Sequence, residues 1–170
     1  MMEKLFWIAV GLTALMVLAY SLLPSPNFPA PPPGAVQSME EADIETPLKR
    51  AYFTNYTRGQ IVDHYKNQFR YRVLTLRLNY PPEDAQTLIR DQTRSAYLEE
   101  LVHPLRESLF INGFIPKELK DDIWYKGVHY EEKITIKYMP SSIFVRVPIA
   151  LVSVLCLGLV LRELVRKNNA

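Results

Sequence analysis

Three side chains able to bind a metal or exchange a proton stand four apart: Glu99, His103 and Glu107. On an unbroken helix this spacing puts them on one face. Glu100 and His103 also form a Glu-x-x-His pair. Di-iron bundles need two such pairs and two further carboxylates from other helices. This chain has one pair, and Pro104 disturbs the geometry beside it. The spacing therefore favours a solvated face with ion pairs to Arg94 and Arg106. Glu99, His103 and Glu107 are weak metal candidates only, and no cofactor is expected. His64 and His129 share no spacing with them; the first belongs to a helix and the second to a predicted turn. The chain has no nucleophile elbow, and its glycines are too scattered for a phosphate loop. The single cysteine, Cys156, excludes an internal disulfide framework and any cysteine-based zinc cluster within one chain.

The most uneven stretch is 49–77. Lys49, Arg50, Arg58, Lys66, Arg70, Arg72 and Arg77 face a single acid, Asp63. Tyr52, Phe53, Tyr56, Tyr65, Phe69 and Tyr71 are interleaved with them. Stacking plus anion contact suits such a mixture, and Arg58, Lys66, Arg70, Arg72 and Tyr65 form a hypothetical binding surface. The competing reading makes the aromatics core and the cations a solvated rim paired with acids on 83–107. That reading is favoured, because charge runs alone predict function poorly.

These residues need elements to position them. Thr57-Arg-Gly-Gln60 can act as a capping box, and Ile61, Val62, Tyr65 and Phe69 follow at helical spacing, which predicts a helix over 58–69. In 71–80, Leu74, Leu76, Leu78 and Tyr80 alternate with polar residues, predicting a half-buried strand. Pro82, Glu83 and Asp84 open a longer segment, 83–112. Its stripe of Leu98, Leu101, Val102, Leu105 and Leu109 predicts a helix pair broken near Pro104 and stopped by Asn112-Gly113. Pro116 to Asp122 reads as a polar connection. Ile123–Lys126 and Tyr130–Tyr138 read as strands. Together these predict an α+β fold with helices packed on an antiparallel sheet of about three strands.

Two apolar runs bracket that domain. Leu5–Leu23 has 19 uncharged residues, a helix of about 28 Å, close to a bilayer core. This is long for a signal-peptide core, so a retained anchor is favoured over a cleaved signal. Ile143–Leu161 is the second run. Arg146 lies near its start, where snorkelling is the simplest expectation. Neither Gly11 nor Gly158 belongs to a GxxxG pair, so neither run advertises a tight homodimer.

Lys4 flanks the first run and Arg162, Arg166 and Lys167 follow the second. By the positive-inside rule both termini are cytoplasmic and 24–142 is extracytoplasmic. The expected layout is a cytoplasmic start (1–4), a span (5–23), a Pro-rich then acidic linker (24–46), the α+β domain (47–142), a span (143–161) and a basic cytoplasmic tail (162–170). The linker, PSPNFPAPPPG and then acids, reads as a tether whose simplest role is slack. Only four residues separate Tyr138 from the second span. They reach at most roughly 14 Å, which holds the domain against the membrane.

A hydrophobic content of 48% argues against disorder, and a net charge of +2 gives no case for nucleic acid. The expected function is a non-catalytic accessory or scaffolding subunit of an envelope complex. Its expected partners are the lipid bilayer and a membrane or envelope protein. The first alternative is a binding module for acidic glycopolymer or anionic lipid headgroups. The second is a membrane-anchored enzyme using Glu99, His103 and Glu107.

Overall fold

A computed structural model describes residues 2–70, 74–90 and 92–168, with side chains from Lys4 to Lys167 within those ranges. In chain order the elements are α1 (Met2–Leu22), β1 (Val36–Gln37), β2 (Lys49–Thr54), α2 (Arg58–Phe69), β3 (Leu76–Tyr80), α3 (Ala85–Leu88), β4 (Tyr97–Val102), β5 (Ser108–Phe114), β6 (Ile123–Tyr125), β7 (Val128–Tyr130), β8 (Glu132–Met139) and α4 (Ile143–Asn168). The chain divides into two units: Met1–Ser25 with Ser141–Ala170, and Pro26–Pro140.

The first unit is α1 and α4, both long and apolar enough to cross a membrane. They pack antiparallel. The Arg162 guanidinium lies 5.7 Å from the Trp7 ring centre, Gly158 abuts Val10, and Arg146 reaches Leu23. A Cβ at Gly158 would come within 3.2 Å of Val10 Cγ1, so the glycine serves this intrachain approach. Arg146 is buried, and its Nη2 donates to the Leu23 carbonyl at 2.9 Å while Nη1 donates to Ser25 Oγ at 3.3 Å. Carbonyls at a helix end lack intrahelical donors, and the guanidinium satisfies one at the end of α1. The basic segment after Leu161, expected as a tail, continues α4 to Asn168.

The second unit is α+β, with a larger sheet than the three strands expected. Six antiparallel strands run in the order β1-β2-β8-β5-β4-β3, and β6 and β7 form a separate hairpin. The expected capping box holds: Thr57 N–H donates to Gln60 Oε1 at 2.9 Å, and α2 spans the expected residues. Ile61, Tyr65 and Phe69 of α2 pack on Tyr52, Tyr97, Leu101, Leu109, Ile111, Ile134, Ile136 and Tyr138 of the sheet. Fully burying each large apolar side chain contributes about 1.5–3 kcal/mol, so this layer dominates folding. Leu98 and Phe110 point to the other sheet face, under Ala85 and Ile89. Phe53, Ile123 and Tyr130 join the β6–β7 hairpin to β2.

The helix pair expected over 83–112 is overturned. Among the described residues of this range only Pro82–Leu88 is helical; Tyr97–Val102 and Ser108–Phe114 are β4 and β5. Both strands are buried on both faces, which removes the polar alternation that identifies a strand. Pro104 lies in the turn between them, and Asn112-Gly113 lies inside β5 rather than ending a helix. His129 is on β7, facing Trp124, not in a turn. Lys49–Thr54, not foreseen as a strand, is the one that pairs with both β1 and β8. Of the strand expected over 71–80, residues 76–80 form β3, and 71–73 lie outside the described residues.

Residues 26–46 are not slack. Phe28 and Ala35 pack against the core, and Pro29 and Pro32 are buried. The Gln68 side chain grips Ala30 from both sides, accepting from its N–H at 2.8 Å and donating to its carbonyl at 3.1 Å. Farther along, Lys133 Nζ lies 2.7 Å from both Glu40 Oε2 and Asp43 Oδ2. Burial alone would lower the Lys133 pKa; the bonds to Asp43 and Glu40 outweigh it and hold it above its usual value. The domain therefore begins near Pro26, not near Pro47.

Gly113 permits one close approach. A Cβ there would overlap the Tyr97 ring and the Glu132 carboxylate, whereas a Cβ at Gly59 would meet nothing. Gly113→Ala should destabilise the protein by about 2–3 kcal/mol through overpacking. Gly59→Ala, within α2, should stabilise by up to about 1 kcal/mol. Thermal unfolding of the two variants checks both signs.

Candidate functional site

The centre of the domain is a buried carboxylate. Glu99 lies on β4 between Tyr97 and Leu101, on the sheet face covered by α2. No water reaches it, so its charge must be met by the protein. Arg58, at the start of α2, donates Nε at 2.9 Å and Nη2 at 2.5 Å to Oε1. Arg77, on β3, donates Nε to Oε2 at 2.7 Å and Nη2 to Oε1 at 2.8 Å. Arg58 also donates to Asn79 Oδ1 at 3.1 Å, and its guanidinium lies 4.9 Å from the Tyr97 ring centre. Burial alone would raise the Glu99 pKa. The hydrogen bonds from Arg77 and Arg58 outweigh it and hold the carboxyl below its usual range.

A second acid lies along the same face. Glu132 on β8 accepts a short hydrogen bond from the Tyr97 hydroxyl. Its pKa is pushed up to about 7 by burial, against which the Tyr97 bond and the Arg58 charge pull only part way. Tyr97 is raised in turn, first by burial and then by the Glu132 charge. Two buried carboxylates of one sheet face thus titrate in opposite directions. The difference is that Glu99 has two guanidinium partners and Glu132 has a phenol.

His103 and Glu107 are brought together, and Glu99 is held elsewhere. They flank the β4–β5 turn, where His103 Nδ1 lies 2.8 Å from Glu107 Oε1. Arg106 Nη2 is 3.0 Å from the same Glu107 oxygen. The imidazole stacks on Phe69 with ring centres 4.2 Å apart. The backbone closes the turn by His103 N–H to Glu107 O and Arg106 N–H to His103 O, each 2.9 Å. This cluster is a brace for a turn. Arg94, expected beside these acids, instead pairs with Asp121 at 2.6 Å. Among the described residues, no three His, Cys, Asp or Glu side chains are grouped to hold a metal ion.

The basic–aromatic surface does not assemble as one patch. Arg58 is engaged with Glu99, and Tyr65 is buried in the core. Burial, with the neighbouring Tyr52, raises the Tyr65 pKa. Lys66 on α2 and Arg70 just after its end remain exposed. Arg72 lies outside the described residues. Arg50 covers the Phe28 ring at 4.3 Å. Sequence reasoning missed the roles of Arg77, Glu132, Gln68 and Gly113. Arg77 and Glu99 stand 22 residues apart, and no local spacing links them.

Comparison with known protein families, with curated proteins and with solved structures found no match to this chain.

Removing either side of the Glu99 cluster should have unequal effects. Glu99→Gln leaves two half-exposed arginines that water can serve, with a loss of about 1–2 kcal/mol. The double variant Arg58→Ala, Arg77→Ala strands a buried carboxylate and should lose about 3–5 kcal/mol. Denaturant unfolding at neutral pH measures both, and equal losses would contradict this account.

Glu132 predicts a pH dependence. The folded chain holds a proton there that the unfolded chain releases above its ordinary value of 4.5. Its stabilising contribution is complete below pH 4.5 and is lost as pH rises through about 7. The melting temperature should therefore fall between pH 5 and pH 8, and Glu132→Gln should flatten that slope.

Proposed function

We propose that this chain is a two-pass membrane protein whose residues 24–142 lie on the extracytoplasmic side and hold a non-catalytic α+β module against the membrane. The module acts as an accessory or scaffolding subunit of an envelope complex. The observation that carries the two-pass reading is the antiparallel pairing of α1 and α4, with Arg146 bonded to the end of α1. An antiparallel pair of spans returns both termini to one side of the bilayer. Lys4, Arg162, Arg166 and Lys167 then assign that side to the cytoplasm.

The non-catalytic reading draws on the candidate site. The acids and histidine with chemical potential are taken up in bonds that hold the fold: Glu99 in α2–sheet–β3 contacts, His103 and Glu107 in a turn. At its β6–β7 hairpin the module presents Trp124 and Val128, both exposed, beside the exposed Lys126. Exposed aromatics of this kind are frequent anchors of protein interfaces. A second reading, contact with anionic headgroups or acidic polymer, retains Lys66 and Arg70 as its exposed cations.

Single-cysteine variants in a Cys156→Ser background test the proposal. An impermeant maleimide should label Gly34→Cys in intact cells or sealed vesicles, without permeabilisation; labelling only after permeabilisation would reverse the topology. A bifunctional crosslinker at Trp124→Cys should yield one discrete adduct with a second protein. A diffuse smear or no adduct would remove the scaffolding role.

A further inference from the structure

One end of the sheet carries apolar side chains that are exposed among the described residues. Leu76, Val102, Ser108 and Met139 are direct cross-strand neighbours on β3, β4, β5 and β8, so they form a single row on one face. Leu76 and Met139 at its two ends are exposed. Leu48, whose carbonyl accepts from Tyr138 N–H, is exposed at the same end of the sheet. The β4–β5 turn projects from the same end, and Leu105 at its tip is 65% exposed.

Leu105 is the most informative of these. Its φ is +62°, in the left-handed region that a leucine rarely adopts. Glycine or asparagine would suit that backbone better. The buried His103–Glu107–Arg106 brace and two turn hydrogen bonds hold the strained residue in place. Backbone strain maintained in order to expose a large apolar side chain calls for an occupant outside the domain.

The chain itself identifies the occupant. β8 ends at Met139, and α4 begins at Ile143. The intervening Pro140, Ser141 and Ser142 reach at most about 11 Å. The polar layer on each side of a bilayer core is roughly 5–8 Å thick. The sheet end containing Met139 is therefore joined to α4 by a tether only somewhat longer than one such polar layer.

We propose that Leu105, together with Leu48, Leu76 and Met139, inserts into the membrane interface, so that the domain is docked on lipid by this end of its sheet. The inference rests on the part of the functional reading in which α4 crosses the bilayer, and not on which side the domain lies.

The test uses the full chain in lipid bilayers with Trp7→Phe and Trp124→Phe as background. Single tryptophans are introduced as Leu105→Trp, Leu119→Trp beyond the other end of the sheet, and Phe144→Trp in α4. Leu105 and Leu119 both lie in exposed turns, so neither substitution disturbs the core. Bromolipid quenching should be comparable at positions 105 and 144 and absent at 119. Quenching at 144 but not at 105 overturns the docking proposal while leaving α4 as a span. A blue-shifted but unquenched signal at 105 overturns it in favour of a protein or a second copy on this end. Quenching at both 105 and 119 overturns the end-specific orientation. The lack of quenching at 144 would refute the span reading, and the docking proposal with it.

Discussion

The burial of one carboxylate constrains the whole domain. Glu99 lies under α2 on an interior strand, where a lone negative charge could not persist. Two arginines must therefore reach it, one from the first residue of α2 and one from the edge strand β3. That requirement sets the height of α2 over the sheet and fastens β3 to β4. The same guanidinium that neutralises Glu99 lies over Tyr97, whose hydroxyl serves Glu132. A helix start, an edge strand and β8 are thus joined through one charge. Such pairs are weak sources of net stability but severe when broken, so their main effect here is to fix geometry.

The helix pair uses a guanidinium in another way. Arg146 donates to the carbonyl at the end of α1 and to Ser25. In an apolar setting an unmet backbone carbonyl is expensive, and a donor from the partner helix relieves it. Gly158 lets the two helices approach at Val10. The Arg146 bonds and the small residue at Gly158 give specificity to the pairing of otherwise interchangeable apolar surfaces.

The Pro-rich segment shows how a sequence expected to be slack becomes structure. Proline lowers the entropy lost on ordering, and an extended chain leaves its backbone groups available. Gln68 takes both groups of Ala30, Phe28 enters the core edge, and Lys133 secures the acidic continuation. Composition alone predicts extension. It cannot predict that α2 offers an amide at the right height.

The sequence by itself determined what local periodicity controls. The two apolar runs, the capped helix over 58–69, most of the strand read over 130–138 and found at 132–139, and the mixed α+β class were legible from residues near one another. The tertiary structure decided the rest. Leu98, Leu101, Val102, Leu105 and Leu109 mimic a helical stripe because β4 and β5 are covered on both faces and their buried acids look like a solvated rim. Glu99, His103 and Glu107 share a face only on a helix; on two strands and a turn, Glu99 is separated from the other two. Arg58 finds Glu99 across 41 residues, a distance at which no spacing rule operates. Short-range signals report what a segment can form alone. Which faces become buried, and which charges must then be paired, is settled only when distant segments pack together.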